Sequence, residues 1–385
     1  MRRRLALFAL LVFLTVSLAG CWNYRGLNEM AMVMGMTIDH NEETGMFRIT
    51  FEIADLASSS KESGIKSRLV DAEGTTIFDA ARAAKRKLVD KLYFAHMEVV
   101  VIGENMARDF GILPVVDWFM RDAEVRETTL VLIAKGTDAH SLMHTEGIDQ
   151  SILSPELQGI IEDDNAITSS TVNMRLFEVY NVLNCTGVAL TLPAFSIVDN
   201  DGKPTVEADG AAIFNGDRLA GFLSAEETKY FLFAAGRAQG GILTVSASGS
   251  DIDDTSLEIS ETMSDTSYEY KDGVLTMFID THTSVFFAET MCLIDVMDEK
   301  QINDLEKRAA DRVSSGITAM LSKELALYGN DILGFGATIH RKDPKLWHTL
   351  KESWALLYPN TRVVVTSVVE IVNTAMIKGT EEDVE

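Results

Sequence analysis

The stretch Met97-Glu98-Val99-Val100-Val101-Ile102 is almost entirely apolar and ends at Gly103. A short run rich in β-branched residues and bounded by glycine is typical of a strand buried inside a sheet. Residues 128–134 repeat the pattern and predict another strand. Between them, residues 104–110 and 114–121 predict two short helices, the first closed by a glycine and the second opened by a proline.

The chain before this strand predicts a hairpin and a helix. Apolar and polar side chains alternate over residues 47–53, and this period of two predicts a strand with one face in water. The apolar residues 29–39 are expected to pair with it. Residues 58–66 are polar and predict a loop, after which Thr76 is expected to cap a helix that runs to about residue 92.

The same patterns predict the elements of the remaining chain. Apolar residues at three- and four-residue spacing make the segment after Asp298 the longest expected helix. Helices are expected at 151–162, 172–183, 225–235, 298–328 and 343–357, and strands at 188–190, up to 198, 211–214, 218–223, 242–246, 257–259, 274–287 and 363–372.

Strands and helices alternate irregularly, and several strand pairs are hairpins, which favours a multi-domain α+β fold with mixed and antiparallel sheets packed against helices. The length suffices for two or three domains. The predicted segments are a signal peptide with lipobox at 1–20, an N-terminal α+β domain at 22–196, a small middle α/β domain at 197–247, a C-terminal α+β domain with the long helix at 248–378, and an acidic tail at 379–385.

The first 21 residues resemble a bacterial lipobox. Three arginines at positions 2–4 precede an apolar run over residues 5–19, which is shorter than the roughly 20 residues that a membrane-spanning helix needs. Leu18-Ala19-Gly20-Cys21 then places a small residue at the cleavage site and a thiol directly after it. Cys21 is therefore predicted to be the lipidated first residue of the mature protein, held by a two-chain diacylglyceryl group. An ordinary cleaved signal and an uncleaved anchor are the alternatives, and both leave the body outside the cytoplasm.

Charge and composition restrict the partners of the mature chain. The net charge is −24 over 385 residues, and loss of the three arginines makes the mature chain still more acidic. Such a body repels nucleic acid, and no basic stripe is evident that would bind it. The acidity could also make anionic headgroups repel the body, so that it stands off the membrane surface, but a general contribution to solubility is the preferred explanation. No further apolar stretch predicts a transmembrane helix, and Cys185 and Cys292 are expected to be small core residues in preference to a disulfide pair.

The spacing of the candidate residues does not match the ligand patterns of known metal sites. His140 and His144 lie four residues apart, which suits two metal ligands on one helix face, but no third ligand is evident. The stretch 199–202 suggests a calcium loop, yet Lys203 and Pro204 occupy positions where a ligand and a glycine belong, so a hairpin turn is preferred. Residues 251–255 fail in the same way. No nucleophile elbow or phosphate-binding loop occurs, so no enzyme activity, metal or cofactor is predicted.

Short motifs are spread over almost the whole chain. They are Cys21-Trp22-Asn23-Tyr24-Arg25-Gly26-Leu27-Asn28-Glu29, Gly35-Met36-Thr37-Ile38-Asp39, His96–Glu104, Gly111-Ile112, Asp117–Asp122, Glu124-Val125-Arg126, Gly210–Phe214, Leu219–Leu223, Asp331–Gly336 and Pro344–Trp347. In this order they resemble the C-subunit lipoprotein family of nutrient germinant receptors in spore-forming bacteria, the Ger(x)C type. Asn23 replaces the family's usual acidic residue, and Lys229 and Tyr230 stand where a glycine is common.

The resemblance implies a non-enzymatic protein on the outer, extracytoplasmic face of the inner spore membrane, assembled with the integral-membrane A and B subunits of a receptor. The resemblance also implies three mixed α/β domains, and Cys21 is the one functional position that it assigns in this chain. Trp118, Arg121 and Arg126 are expected to be core and ion-pair residues, with a partner surface as the alternative. Two other functions are open: a lipid-anchored extracytoplasmic solute-binding protein, and an envelope hydrolase, for which no catalytic residues can be named.

Overall fold

A computed structural model describes residues 3–5, 8, 29–60, 64–121, 124–148, 152–249 and 252–373. Two β-sheets organise these residues, one of nine strands and one of four. The strands of the larger sheet are β1 (Met30–Asn41), β2 (Met46–Ser60), β3 (Gly64–Gly74), β4 (Lys91–Tyr93), β5 (Val99–Gly103), β6 (Leu130–Ala134), β7 (Thr191–Asn200), β8 (Lys203–Asn215) and β9 (Arg218–Leu223).

The larger sheet is mixed. Its order is β3-β2-β1-β5-β6-β7-β8-β9, with the short strand β4 paired to β1. The central strands β1, β5, β6 and β7 are parallel, whereas the outer pairs β2–β3 and β8–β9 are antiparallel. The mixed α+β class predicted from the sequence is therefore confirmed.

Strand β5 is buried on both faces, as its apolar run predicts. Val100 and Ile102 belong to one hydrophobic cluster, and Val99 and Val101 belong to another on the opposite face. Helices cover both faces, because a strand without a wet face must be shielded twice. The first cluster includes residues of α1 (Ile77–Ala84), α2 (Leu113–Arg121) and α5 (Leu176–Leu183), and the second includes residues of α3 (Ala139–Met143) and α4 (Leu153–Ile167).

The remaining elements are β10 (Ile242–Val245), β11 (Thr255–Lys271), β12 (Val274–Thr290), β13 (Arg362–Asn373), α6 (Ala225–Ala234), α7 (Glu299–Leu327), α8 (Phe335–Lys342), α9 (Pro344–Leu350) and α10 (Trp354–Leu357). The smaller sheet has the order β10-β11-β12-β13 and packs against the long helix α7. The buried positions of this helix follow the predicted three- and four-residue spacing, from Leu305 to Leu321.

Several local predictions were wrong. The expected wet face of residues 47–53 is covered, because Thr50 and Glu52 are buried beneath α3 and α4. The helix expected to reach residue 92 ends at Ala84, and its last part becomes a 3₁₀ turn followed by β4, which pairs with β1. Residues 188–190 are not a strand, and the polar residues 64–66 belong to β3 instead of a loop.

The strands of residues 197–247, expected to form a small middle domain, are divided between the two sheets. Strands β8 and β9 complete the larger sheet, and β10 joins the smaller one. The expected boundary at residues 196/197 falls inside β7. The cause is the β7–β8 hairpin, whose turn at Asp201 and Gly202 has positive φ, so that the chain returns directly onto its own strand.

None of the helices in the described ranges combines the length and apolar character that crossing a bilayer requires.

Candidate functional site

Cys21, the single predicted site residue, lies outside the described residues. Trp118, Arg121 and Arg126, which were expected either in the core and in ion pairs or on a partner surface, lie within the described residues. Trp118 is half-buried and packs edge-on against Phe94, with ring centroids 5.9 Å apart. Arg121 forms a bidentate, exposed ion pair with Asp117, each N–O distance being 2.9 Å.

Arg126 is exposed, and so is Cys185, which was expected in a core. Cys292 is partly buried. The segment 199–202 forms the hairpin turn preferred over a calcium loop. In the part of the chain that the structure describes, none of these positions belongs to a set of potential metal ligands.

His140 and His144 meet an acidic residue that the sequence pattern missed. Asp71 of β3 offers a carboxylate oxygen, and the three ligand atoms lie within 4.8 Å of one another. The Asp71 Oδ1 atom is 3.3 Å from His140 Nδ1. Asp71 is 69 positions away from His140 in the chain, so only the sheet register could have indicated it.

Hydrogen bonds within the protein explain the positions of these side chains without a bound ion. The buried Thr50 hydroxyl donates to Asp71 Oδ1 at 2.8 Å and lies 3.0 Å from His140 Nδ1, which therefore donates to it. His144 Nδ1 donates to the His140 carbonyl at 2.8 Å. Burial and the neighbouring His144 lower the pKa of His140. This Thr50–Asp71–His140 network joins β2, β3 and α3, and the geometry favours structural support over metal binding or nucleophile activation.

Asp39 of β1 holds the helix that carries these histidines. Its two carboxylate oxygens accept hydrogen bonds from the Ala139 and His140 N–H groups, both at 2.9 Å. Burial raises the pKa of Asp39 to about 6. Gly103 is required beside it, because a Cβ there would lie 2.0 Å from Asp39 Oδ1.

Two buried carboxylates lie at the end of α7, Glu324 in its last turn and Asp331 in the loop that follows. Asp331 accepts hydrogen bonds from the Phe335 and Gly336 N–H groups, at 2.8 and 2.7 Å, and so caps α8. Glu324 accepts from the Asn330 N–H at 2.7 Å and from the Tyr358 hydroxyl at 2.9 Å. Burial raises the pKa of each carboxyl group to about 7, and repulsion by Asp331 contributes to the rise at Glu324.

The same loop connects the two sheets. The Ala189 N–H donates to the Asp331 carbonyl at 2.7 Å, and the Ala337 N–H donates to the Gly187 carbonyl at 2.8 Å. A Cβ on Gly336 would lie 2.7 Å from the Gly187 Cα and from the Trp347 ring. The backbone at Gly336 therefore packs closely against Gly187, and this contact fixes the segment that leads into β7.

Family models match nearly the whole described chain. Residues 23–197 match the spore germination protein N-terminal domain, and residues 209–375 match the C-terminal domain described as spore germination B3/GerAC like. The chain therefore belongs to the Ger(x)C family of spore germination proteins.

Individual relatives align with this chain over nearly the full length of both proteins. The chain is 24% identical to spore germination protein KC of Bacillus subtilis (strain 168), over 92% of this chain and 91% of that protein. It is 21% identical to spore germination protein B3 of the same organism, over 92% and 94%. A crystal structure of the GerBC protein shares the fold, with a TM-score of 0.57 at 19% identity, over 88% of this chain and 97% of that one.

Proposed function

We propose that the protein is a non-catalytic, lipid-anchored subunit of a spore nutrient germinant receptor. In this proposal Cys21 carries the lipid, and the body lies on the outer face of the inner spore membrane. The A and B integral-membrane subunits are its partners. The protein is needed for the response to nutrients and performs no chemistry on them.

One observation carries the proposal: both family domains match in order, over residues 23–197 and 209–375. The lipobox-like stretch 18–21 supports the anchor, because two acyl chains give stable membrane attachment where one does not. The described polar clusters are engaged in capping and strand-to-helix contacts, which fits a subunit that acts by assembly.

Deletion of the gene tests the role. Spores without the protein should respond slowly or not at all to particular nutrients and should germinate normally by nutrient-independent routes. Complementation by Cys21→Ala should restore much less than complementation by Cys185→Ala, which removes an exposed thiol elsewhere. Unaltered nutrient responses in the deletion strain would refute the proposal, and mass spectrometry of the N-terminal peptide would establish whether Cys21 is lipidated.

A pull-down from detergent-solubilised spore membranes tests the partners, since the A and B subunits should be recovered with the protein. The solute-binding alternative predicts instead that a free amino acid or sugar raises the melting temperature of the isolated protein. The described sheets give no support to that alternative, because their nine- and four-strand topologies are not two similar lobes around a cleft.

A further inference from the structure

A local concentration of positive charge lies on one edge of this acidic chain. Residues 78–91 contain five cationic side chains and two acidic ones, whereas the whole chain has a net charge of −24. We call this surface the basic apolar face. Its residues are Phe78, Arg82, Lys85, Arg86, Lys87, Val89 and Lys91.

Apolar side chains lie exposed among these cations. Val89 is 94% exposed and Phe78 is 52% exposed. The Arg82 guanidinium lies over the Phe78 ring, 4.8 Å from its centroid. Beside them a groove of about 360 Å³ is lined by Phe94 and Trp118. Exposed apolar groups surrounded by lysine and arginine are typical of surfaces that contact a membrane interface.

Within the described residues, four of the five cations have no carboxylate at ion-pair distance, although Asp71 and Glu73 line the same hollow as Arg86 and Lys87. Lys85 Nζ donates to the Leu88 carbonyl at 3.0 Å, and Lys87 Nζ donates to the Asp71 carbonyl at 2.6 Å. These backbone contacts orient the side chains and leave their charge intact. Lys91 is different, because it forms an ion pair with Glu124.

The face lies where the tether enters the fold. Met30, the first residue of β1, pairs with Lys91 of β4. Met30 lies nine positions after Cys21, and an extended chain of that length spans no more than about 32 Å. An anchor at Cys21 therefore keeps the start of β1, and β4 beside it, within about 32 Å of the lipid headgroups.

We propose that the basic apolar face docks on an anionic lipid bilayer and so fixes the orientation of the protein on its membrane. The inference rests on the lipid anchor of the proposed function. The acidity of the rest of the chain does not oppose docking strongly, because charges further away than about 8 Å are screened at physiological salt. Local charge therefore decides the orientation, and the body does not stand off the surface.

A polarity-sensitive dye at residue 89 tests the docking. The full lipidated chain, with Val89→Cys in a Cys185→Ser/Cys292→Ser background, is reconstituted into phosphatidylcholine vesicles with or without phosphatidylglycerol. Docking predicts a blue-shifted emission in the anionic vesicles that high salt reverses. Emission that is the same in both vesicles would overturn the proposal.

Matched charge variants separate local from general effects. Each cation near an anionic surface changes a binding constant about fivefold, so Arg82→Gln/Arg86→Gln/Lys87→Gln should lower the ratio of docked to undocked molecules about 100-fold. Lys300→Gln/Lys307→Gln/Lys345→Gln removes the same charge from exposed positions near the smaller sheet and should change nothing. An equal response of both variants would contradict a specific face.

Vesicle flotation keeps the two proposals distinct. Flotation with both vesicle types shows the anchor whatever the dye reports. Flotation with anionic vesicles alone would support the face and contradict the anchor, and no flotation would refute both. A blue shift that requires co-purified membrane subunits instead of anionic lipid would assign the face to a protein partner and overturn the proposal.

Discussion

The buried carboxyl group of Glu324 should make stability depend on pH. Its side chain is fully buried, and its pKa is raised from 4.5 to about 7 in the folded protein. Between these values the folded state holds a proton that the unfolded state has lost, so the free energy of unfolding falls as pH rises. One proton corresponds to about 1.4 kcal/mol per pH unit, and the full window to about 3 kcal/mol.

The variant Glu324→Gln removes the titration and keeps the geometry. The amide oxygen can accept from the Asn330 N–H, and the amide nitrogen can donate to the Tyr358 hydroxyl oxygen. We expect the slope of unfolding free energy against pH between 5 and 7 to become shallower by about one proton.

Urea denaturation at several pH values measures this slope for the parent and the variant in the same detergent. Glu261→Gln, at an exposed position of β11, is the matched control and should run parallel to the parent. Parallel slopes for Glu324→Gln and the parent would refute the reasoning, because Glu324 would then be ionised in the fold throughout the range.

Three further perturbations test the packing. Glu52→Ala should lower the free energy of unfolding by about 3 kcal/mol in chemical denaturation. The Glu52 side chain accepts hydrogen bonds from the Leu153 and Ser154 N–H groups at 2.8 Å, and its removal leaves these buried donors without an acceptor. A loss below about 1 kcal/mol would contradict this. Gly336→Ala should destabilise the protein by about 1–3 kcal/mol, because the new Cβ clashes with Gly187 and Trp347. Gly159→Ala, inside α4 with open space around it, should stabilise the protein by up to about 1 kcal/mol. Thermal melts that give the opposite order of melting temperatures would be inconsistent with this packing. Thr76→Ala should cost about 1 kcal/mol by removing the hydroxyl that accepts from the Asp79 N–H, and hydrogen exchange should show faster opening confined to α1.

The correct sequence predictions rest on residue patterns within a single helix or strand. The spacing of Leu305, Val313 and Ile317 was sufficient for the long helix, and the run at residues 99–102 was sufficient for the central strand, because both signals lie within a single element. Thr76 was likewise identifiable as a cap, since it needs only the residue three positions later.

Contacts between distant segments explain what the sequence could not predict. Glu52 looks like a solvent-facing residue until Ser154, 102 positions later, brings α4 over it. Helix α1 ends at Ala84 because the chain beyond it forms β4, which pairs with the distant strand β1. The histidine pair at residues 140 and 144 was visible as a spacing, but Thr50 and Asp71, which determine its chemistry, come from two other strands.

The larger sheet also determines how this protein can be cut or recombined. The first family domain ends at residue 197, inside β7, and the second begins at 209, inside β8, although Pro193 and Ala211 are cross-strand partners. A fragment ending at that boundary would expose the hydrogen-bonding edge of β7, a known route to aggregation. Chimeras between relatives should therefore be joined after Leu223, where the sheet is complete and the chain has left its last strand.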